Sequence, residues 1–226
     1  MPMALQETLD LLEGQYGHQS LPRIRDPWQM ILWENVAYMA NDERREEGFR
    51  ALQKRVGTRP EQVLSAAEDV LLDVTSHGIV SETFAAKLRL CAKICLQAFA
   101  GDVRQILKWP LPKAKKALQK FPGIGEPGAE KILLFSGVLD VLALESNGLR
   151  VLVRFGLGED RKSYAATYKS VREVTIEELP AHSKSLTKAH LLLRRHGQEL
   201  CLRNGPLCHV CVVNSDCPFF HRLAKQ

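Results

Sequence analysis

Four of the six cysteines in this 226-residue chain, Cys201, Cys208, Cys211 and Cys217, fall within a window of seventeen residues. Their x6, x2, x5 spacing lets four thiolates close round one zinc ion or take the four corners of a [4Fe–4S] cube. Spacing alone leaves both open. Cys91 and Cys95, four apart in an apolar stretch, read instead as a pair of buried thiols. A second grouping is basic. Residues 87–120 hold nine Lys or Arg against the single acid Asp102, so this segment carries +8 while the rest of the chain sums to −3 of the net +5. Such a band suits a polyanionic partner, the alternative being the solvated faces of ordinary helices.

These groups need a scaffold. The chain is 45% apolar and 25% charged, a globular balance that excludes a mainly disordered or collagenous protein. No apolar run reaches the roughly 18 residues of a membrane span, and the first residues show no charged, apolar leader pattern. The expectation is a soluble cytoplasmic protein without a membrane partner, nucleoid-associated if the source is prokaryotic. Apolar residues recur at three- and four-residue spacing almost throughout, which predicts an all-α fold. Helices are expected near 4–14, 27–40, 42–56, 60–73, 81–100, 102–107, 113–121, 127–138, 145–156, 162–174 and 184–200. Asp26-Pro27 sets a capping carboxylate before a proline at the first helical position, and Thr58-Arg59-Pro60-Glu61 opens a helix in a similar way.

The segment Leu118-Gln119-Lys120-Phe121-Pro122-Gly123-Ile124-Gly125-Glu126-Pro127 ends one helix, turns on Gly-Ile-Gly and opens another. Glycines allow positive φ and close approach, and the N–H groups of a new helix start suit a phosphate. A ligand-free helical hairpin would have the same grammar, but here Lys113, Lys115, Lys116 and Lys120 precede the turn. Leu-x-x-Phe-Pro-Gly-Ile-Gly resembles the helix-hairpin-helix motif, which grips the DNA backbone without reading sequence. The cysteine spacing, and the stretch Ala189–Leu200 before it, are similar to the iron–sulfur loop of the endonuclease III and MutY branch of DNA glycosylases. From Asp26 to Cys217 the chain therefore resembles the helix-hairpin-helix DNA glycosylase superfamily.

The resemblance implies two helical lobes with a DNA-binding cleft between them. One is a six-helix domain at 26–138 that contains the hairpin at about 113–138. The other joins 1–25 to 139–226 and carries the cluster loop at 201–217. It further implies that the chain works as a monomer on double-stranded DNA with a damaged or mismatched base, and that Cys201, Cys208, Cys211 and Cys217 ligate a [4Fe–4S] cluster. Gly123, Ile124, Gly125 and Lys120 would hold a phosphate, with Arg194, Arg195 and Arg203 extending the basic surface.

Excising a base needs the nucleotide flipped out of the stack, an acid for the leaving base and a carboxylate for the charge on the sugar. In MutY-type enzymes the resemblance puts the acid at Glu34. There, beside Trp33 and apolar helix residues, burial would raise its pKa toward neutrality; the alternative is a surface Glu on an amphipathic helix. The other carboxylate falls at Glu145 in Leu144-Glu145-Ser146-Asn147-Gly148-Leu149-Arg150-Val151. The family has Asp there, and the longer side chain puts catalysis in doubt, because a shift of about 1 Å can cost on the order of a hundredfold. Glu145 could equally serve only the helix N-terminus. Arg150 matches the family as a DNA-binding position. Tyr38 and Met39 stand where the family fills the gap left by the flipped base, or they pack in the core. The position of the family's lyase Lys is Pro127, which offers no amine. The resemblance thus implies a monofunctional DNA N-glycosylase of base excision repair, MutY-like in its acids, in which Lys131 is a surface or phosphate-contacting residue. The rivals are an endonuclease III-like glycosylase and abasic-site lyase, and a DNA-binding protein that keeps the fold without turnover.

Overall fold

A computed structural model describes residues 3–223. In chain order the helices are α1 (Leu5–Tyr16), α2 (Pro27–Val36), α3 (Asp42–Arg55), α4 (Pro60–Ser65), α5 (Glu68–Thr75), α6 (Ser81–Phe99), α7 (Leu111–Leu118), α8 (Glu126–Phe135), α9 (Ser146–Phe155), α10 (Tyr164–Glu178), α11 (Ser183–Glu199) and α12 (Pro218–Leu223). Short 3-10 turns occupy Val103–Lys108, Cys208–Val210 and Asn214–Asp216. The fold is all-α, with no strand among the described residues. No described helix is long and apolar enough to cross a membrane.

The chain divides into two compact units, Arg23–Ser136 and the remainder built from both termini. In the first, α2 is the central helix. Asp26 caps it by accepting from Gln29 N at 3.0 Å, and Pro27 takes its first position. Trp28, Met30, Ile31, Leu32 and Val36 are all buried, so the helix is apolar on nearly every side and must be surrounded. It packs against α3, α6 and α8. Cys91 and Cys95 on α6 are fully buried, and burial pushes both thiols up to about 12. They are core residues.

Two expected helices end early. The one expected over 60–73 breaks between α4 and α5, where Ala66 and Ala67 are extended. Both alanines favour helix, but Arg89 of α6 donates to Ala66 O at 2.8 Å and also pairs with Glu68. Tertiary hydrogen bonding overrides local propensity there. The helix expected over 27–40 stops at Val36: Ala37 is extended and Met39 has a φ of +53°. The Tyr38 carbonyl accepts from Ile79 N at 3.0 Å, which locks the loop after α2 to the one before α6. The segment expected as helix over 102–107 is a 3-10 turn, capped by Asp102.

In the second unit α9 lays Leu149, Val151, Leu152 and Phe155 into the core, mainly against α11. The two helices approach so closely that a Cβ on Gly197 would lie 2.7 Å from the Asn147 Cβ. His190 fixes the lead-in to α9 through a 2.7 Å bond between Nδ1 and Ala143 O.

Candidate nucleic-acid interface and active site

The hairpin is α7, a turn and α8. Gly123 takes a φ of +77°, and a Cβ there would stand 3.0 Å from Asn35 Oδ1. Ile124 is buried while Gly123 and Gly125 are exposed, so the turn anchors itself by a side chain and presents backbone to solvent. No side chain caps α8, which leaves its N-terminal dipole open. Lys113, Lys116 and Lys120 are exposed. Lys115 is not part of that surface: its ammonium is shared by Glu126 at 2.9 Å and the fully buried Glu130 at 2.6 Å.

Neighbouring residues on α2 are tied to the two parts of this hairpin. Asn35 is buried and donates to Pro122 O at 2.9 Å and to Ile31 O at 3.0 Å. Glu34 pairs with Lys131 of α8 through one oxygen and lies 3.5 Å from Arg45 Nη1 through the other. The apolar surroundings expected for Glu34 are thus corrected. Trp33 turns away to meet Phe49 edge-on at 5.4 Å, and the carboxylate, 19% exposed, has a cation on either side. Lys131 is correspondingly half-withdrawn into an ion pair rather than projecting from the surface.

Tyr38 stacks on Phe84 with centroids 4.6 Å apart, and Lys87 lies 4.0 Å over the Phe84 ring. Beside it Met39 is 72% exposed. The adjoining loop adds Ile79 and Val80, at 52% and 57% exposure, with Val80 at a φ of +56°. Sequence reasoning missed these two aliphatics. The signal was their place after Gly78, in a connector between helices where no core position was called for.

In the other unit Glu145 is the N-cap of α9. One oxygen accepts from Gly148 N at 2.6 Å and the other from Asn147 Nδ2 at 2.8 Å. Asn147 in turn accepts from Arg150, whose guanidinium also reaches Gly197 O at 2.7 Å and Cys201 O at 2.9 Å. Arg150 therefore braces the start of the cysteine loop. Arg154 does the same one turn on, donating to Leu202 O at 2.6 Å and Arg203 O at 3.0 Å, with Cys201 Sγ at 3.4 Å. Arg195 pairs with Glu199 at 2.7 Å.

The four clustered cysteines line one small cavity, together with Leu12, Phe155, Phe219, Phe220 and His196. Burial first, then the charges of Cys217, Cys201 and Cys208, push the Cys211 thiol up to about 11. His196 lies 3.6 Å from Cys211 Sγ and is oriented by Tyr16 OH at 3.0 Å. Among the described residues no three Cys, His, Asp or Glu side chains form a ligand group for one metal ion. The thiols face a shared cavity without converging on a single point.

No family model matches the chain. Over 165 residues it is 27% identical to the endonuclease III of Rickettsia conorii, covering 73% of this chain and 71% of that one. It is also 28% identical over 152 residues to the adenine DNA glycosylase of Buchnera aphidicola, of which it covers 39%. Its fold superposes on the structure of a trapped endonuclease III–DNA covalent intermediate with a TM-score of 0.78 at 15% identity, over 98% of this chain and 99% of that one. In sequence the chain is similar to endonuclease III enzymes, and it shares the all-α fold of that DNA glycosylase structure. The matches favour endonuclease III over the MutY branch, which rests on the shorter match. Pro127 is the second residue of α8, and Lys131 lies one turn further on, engaged with Glu34.

Proposed function

We propose that this chain acts on double-stranded DNA as a monofunctional N-glycosylase of base excision repair, hydrolysing the bond between the sugar and a damaged or mispaired base flipped from the duplex. The observation that carries it is the pair of ties from α2 to the hairpin. Asn35 holds the turn and Glu34 holds Lys131, so a half-buried carboxylate is fixed beside a backbone loop suited to phosphate. Gly123, Ile124 and Gly125, with Lys120, take the DNA backbone. Tyr38 and Met39, joined by Ile79 and Val80, form an exposed apolar edge fit to fill the gap in the stack.

Glu34 handles the proton of the leaving base. Lys131 and Arg45 hold its carboxyl from either side. Glu145 offers negative charge to the sugar and orients the attacking water. Pro127 has no amine and the Lys131 ammonium is ion-paired, which argues against a Schiff base and for hydrolysis alone.

A [4Fe–4S] cluster is supported by the four cysteines that line one cavity, since four thiolates are the ligand set such a cluster takes. Cys201, Cys208, Cys211 and Cys217 would hold it, and such a cluster supplies a cross-link of the loop rather than an open coordination position. The chain works as a monomer in whichever compartment holds its DNA, the cytoplasm or nucleoid of a prokaryote.

The test is a panel of duplexes, each with one modified or mismatched base, incubated with protein and then cleaved by alkali. Base release that Glu34→Gln abolishes supports the enzyme. A second reading, binding without turnover, is favoured by Glu145, both of whose oxygens are already occupied in capping α9. Tight binding with no release on any duplex would establish it. Covalent trapping by borohydride would restore the lyase.

A further inference from the structure

The unit built from both termini contains an open cavity of about 520 Å³ beside the start of α9. Arg150, Arg154, Arg161, Arg203, Arg222 and Tyr164 line it, with Asp160 the one acid on its wall. Five arginines line a wall that carries one carboxylate, an excess of positive charge suited to an anion. The arginines are of two kinds. Arg150 and Arg154 are fixed by backbone carbonyls and give the cavity a rigid cationic floor. Arg203 and Arg222 make no ion pair among the described residues, and Arg161 pairs only with the exposed Glu159, at 2.7 Å. A guanidinium fork matches two oxygens of a phosphate, and arginine is the residue suited to that geometry.

The aromatic wall points to the same class of ligand. Tyr164 is 47% exposed and packs nearly parallel to Tyr168, at 6.2 Å and 23°, leaving its outer face to solvent. A flat exposed ring among arginines is the platform on which nucleotides of unpaired strands stack. Ser146, the residue after Glu145, also lines the cavity. Burial and then the Glu145 charge push the Tyr164 phenol up to about 12, which puts it within electrostatic reach of that carboxylate.

We propose that this cavity is a phosphodiester site, separate from the hairpin, for the strand presented to Glu145, with Arg161 and Arg222 as its ligands and Tyr164 as its stacking face. The assignment to a DNA strand rests on the glycosylase reading above; the phosphate chemistry does not.

The experiment measures anisotropy of a labelled duplex bearing one tetrahydrofuran abasic site, across a series of KCl concentrations. It compares wild type with Arg161→Gln, Arg222→Gln, the double variant and, as a hairpin comparator, Lys120→Gln. Each lost phosphate contact should flatten the dependence of log affinity on log salt by about 1, and the double variant by about 2, whatever the flanking sequence. Tyr164→Ala should weaken binding several-fold without changing that slope. A double variant with wild-type affinity and slope for the duplex and wild-type binding of inorganic phosphate overturns the site. A parallel calorimetric titration with inorganic phosphate separates the sources of the anion: phosphate binding lost in the double variant, with duplex binding intact, overturns the strand assignment in favour of a free anion. If wild type and every variant fail alike to bind the duplex, the glycosylase reading has fallen and the strand assignment falls with it.

Discussion

The two candidate carboxylates are held in opposite ways. Glu145 is held locally, by the backbone N–H and the side chain of residues two and three positions on, inside its own helix start. Glu34 is held at long range, by Lys131 ninety-seven residues away and by Arg45 of another helix. Local capping makes a carboxylate part of the fold's stability. Ion pairing from separate elements makes its state depend on those elements, and leaves it adjustable.

The difference can be broken experimentally. The largest effect is expected at Glu34: Glu34→Gln should lower base release by about 10²–10⁴-fold, the usual contribution of a positioned acid–base group. Glu145→Ala should instead lose turnover and stability together, by about 1 kcal/mol for the missing cap, whereas Glu145→Asp should keep the stability because Asp caps equally well. Thermal melts beside single-turnover assays decide this, and a Glu145→Ala protein as stable as wild type would erase the contrast. Cys211→Ser should lose the broad visible absorbance and the iron and sulfide of a cluster and soften the unit that carries α9; a colourless wild-type protein holding zinc would refute the cluster. Lys131→Met should slow release by roughly tenfold, about 1.4 kcal/mol of lost transition-state support, with Lys131→Arg largely restoring it. The smallest effect concerns Cys91 and Cys95. With thiols near 12 from burial, they should resist thiol reagents in the folded protein and react only on unfolding.

The same contrast explains what could be read beforehand. Features set within a few residues were legible: the Asp26-Pro27 start of α2, the Gly-Ile-Gly turn, the cysteine spacing and the position of Glu145 at a helix N-terminus. Features set by distant partners were not. Ala66 and Ala67 continue a helical pattern until Arg89 captures the carbonyl between them. Tyr38 and Met39 extend the apolar periodicity of α2, and only the bond from Ile79 shows that they belong to a loop. Glu34 stands where the motif resemblance puts an acid, but its two cations lie on α3 and α8, and neither is visible in the residues that flank it. Arg150 is another case: its partners, the carbonyls of Gly197 and Cys201, come from about fifty residues away.

Lys115 and Glu130 carry one more consequence, for how this sequence can drift. Removing either member of a buried pair strands the other's charge, at a cost of roughly 3–5 kcal/mol, whereas replacing both by apolar residues is nearly neutral. Related chains should therefore change these two positions together or not at all, and a set of orthologues in which they vary independently would show that the hairpin tolerates a lone charge in its interior.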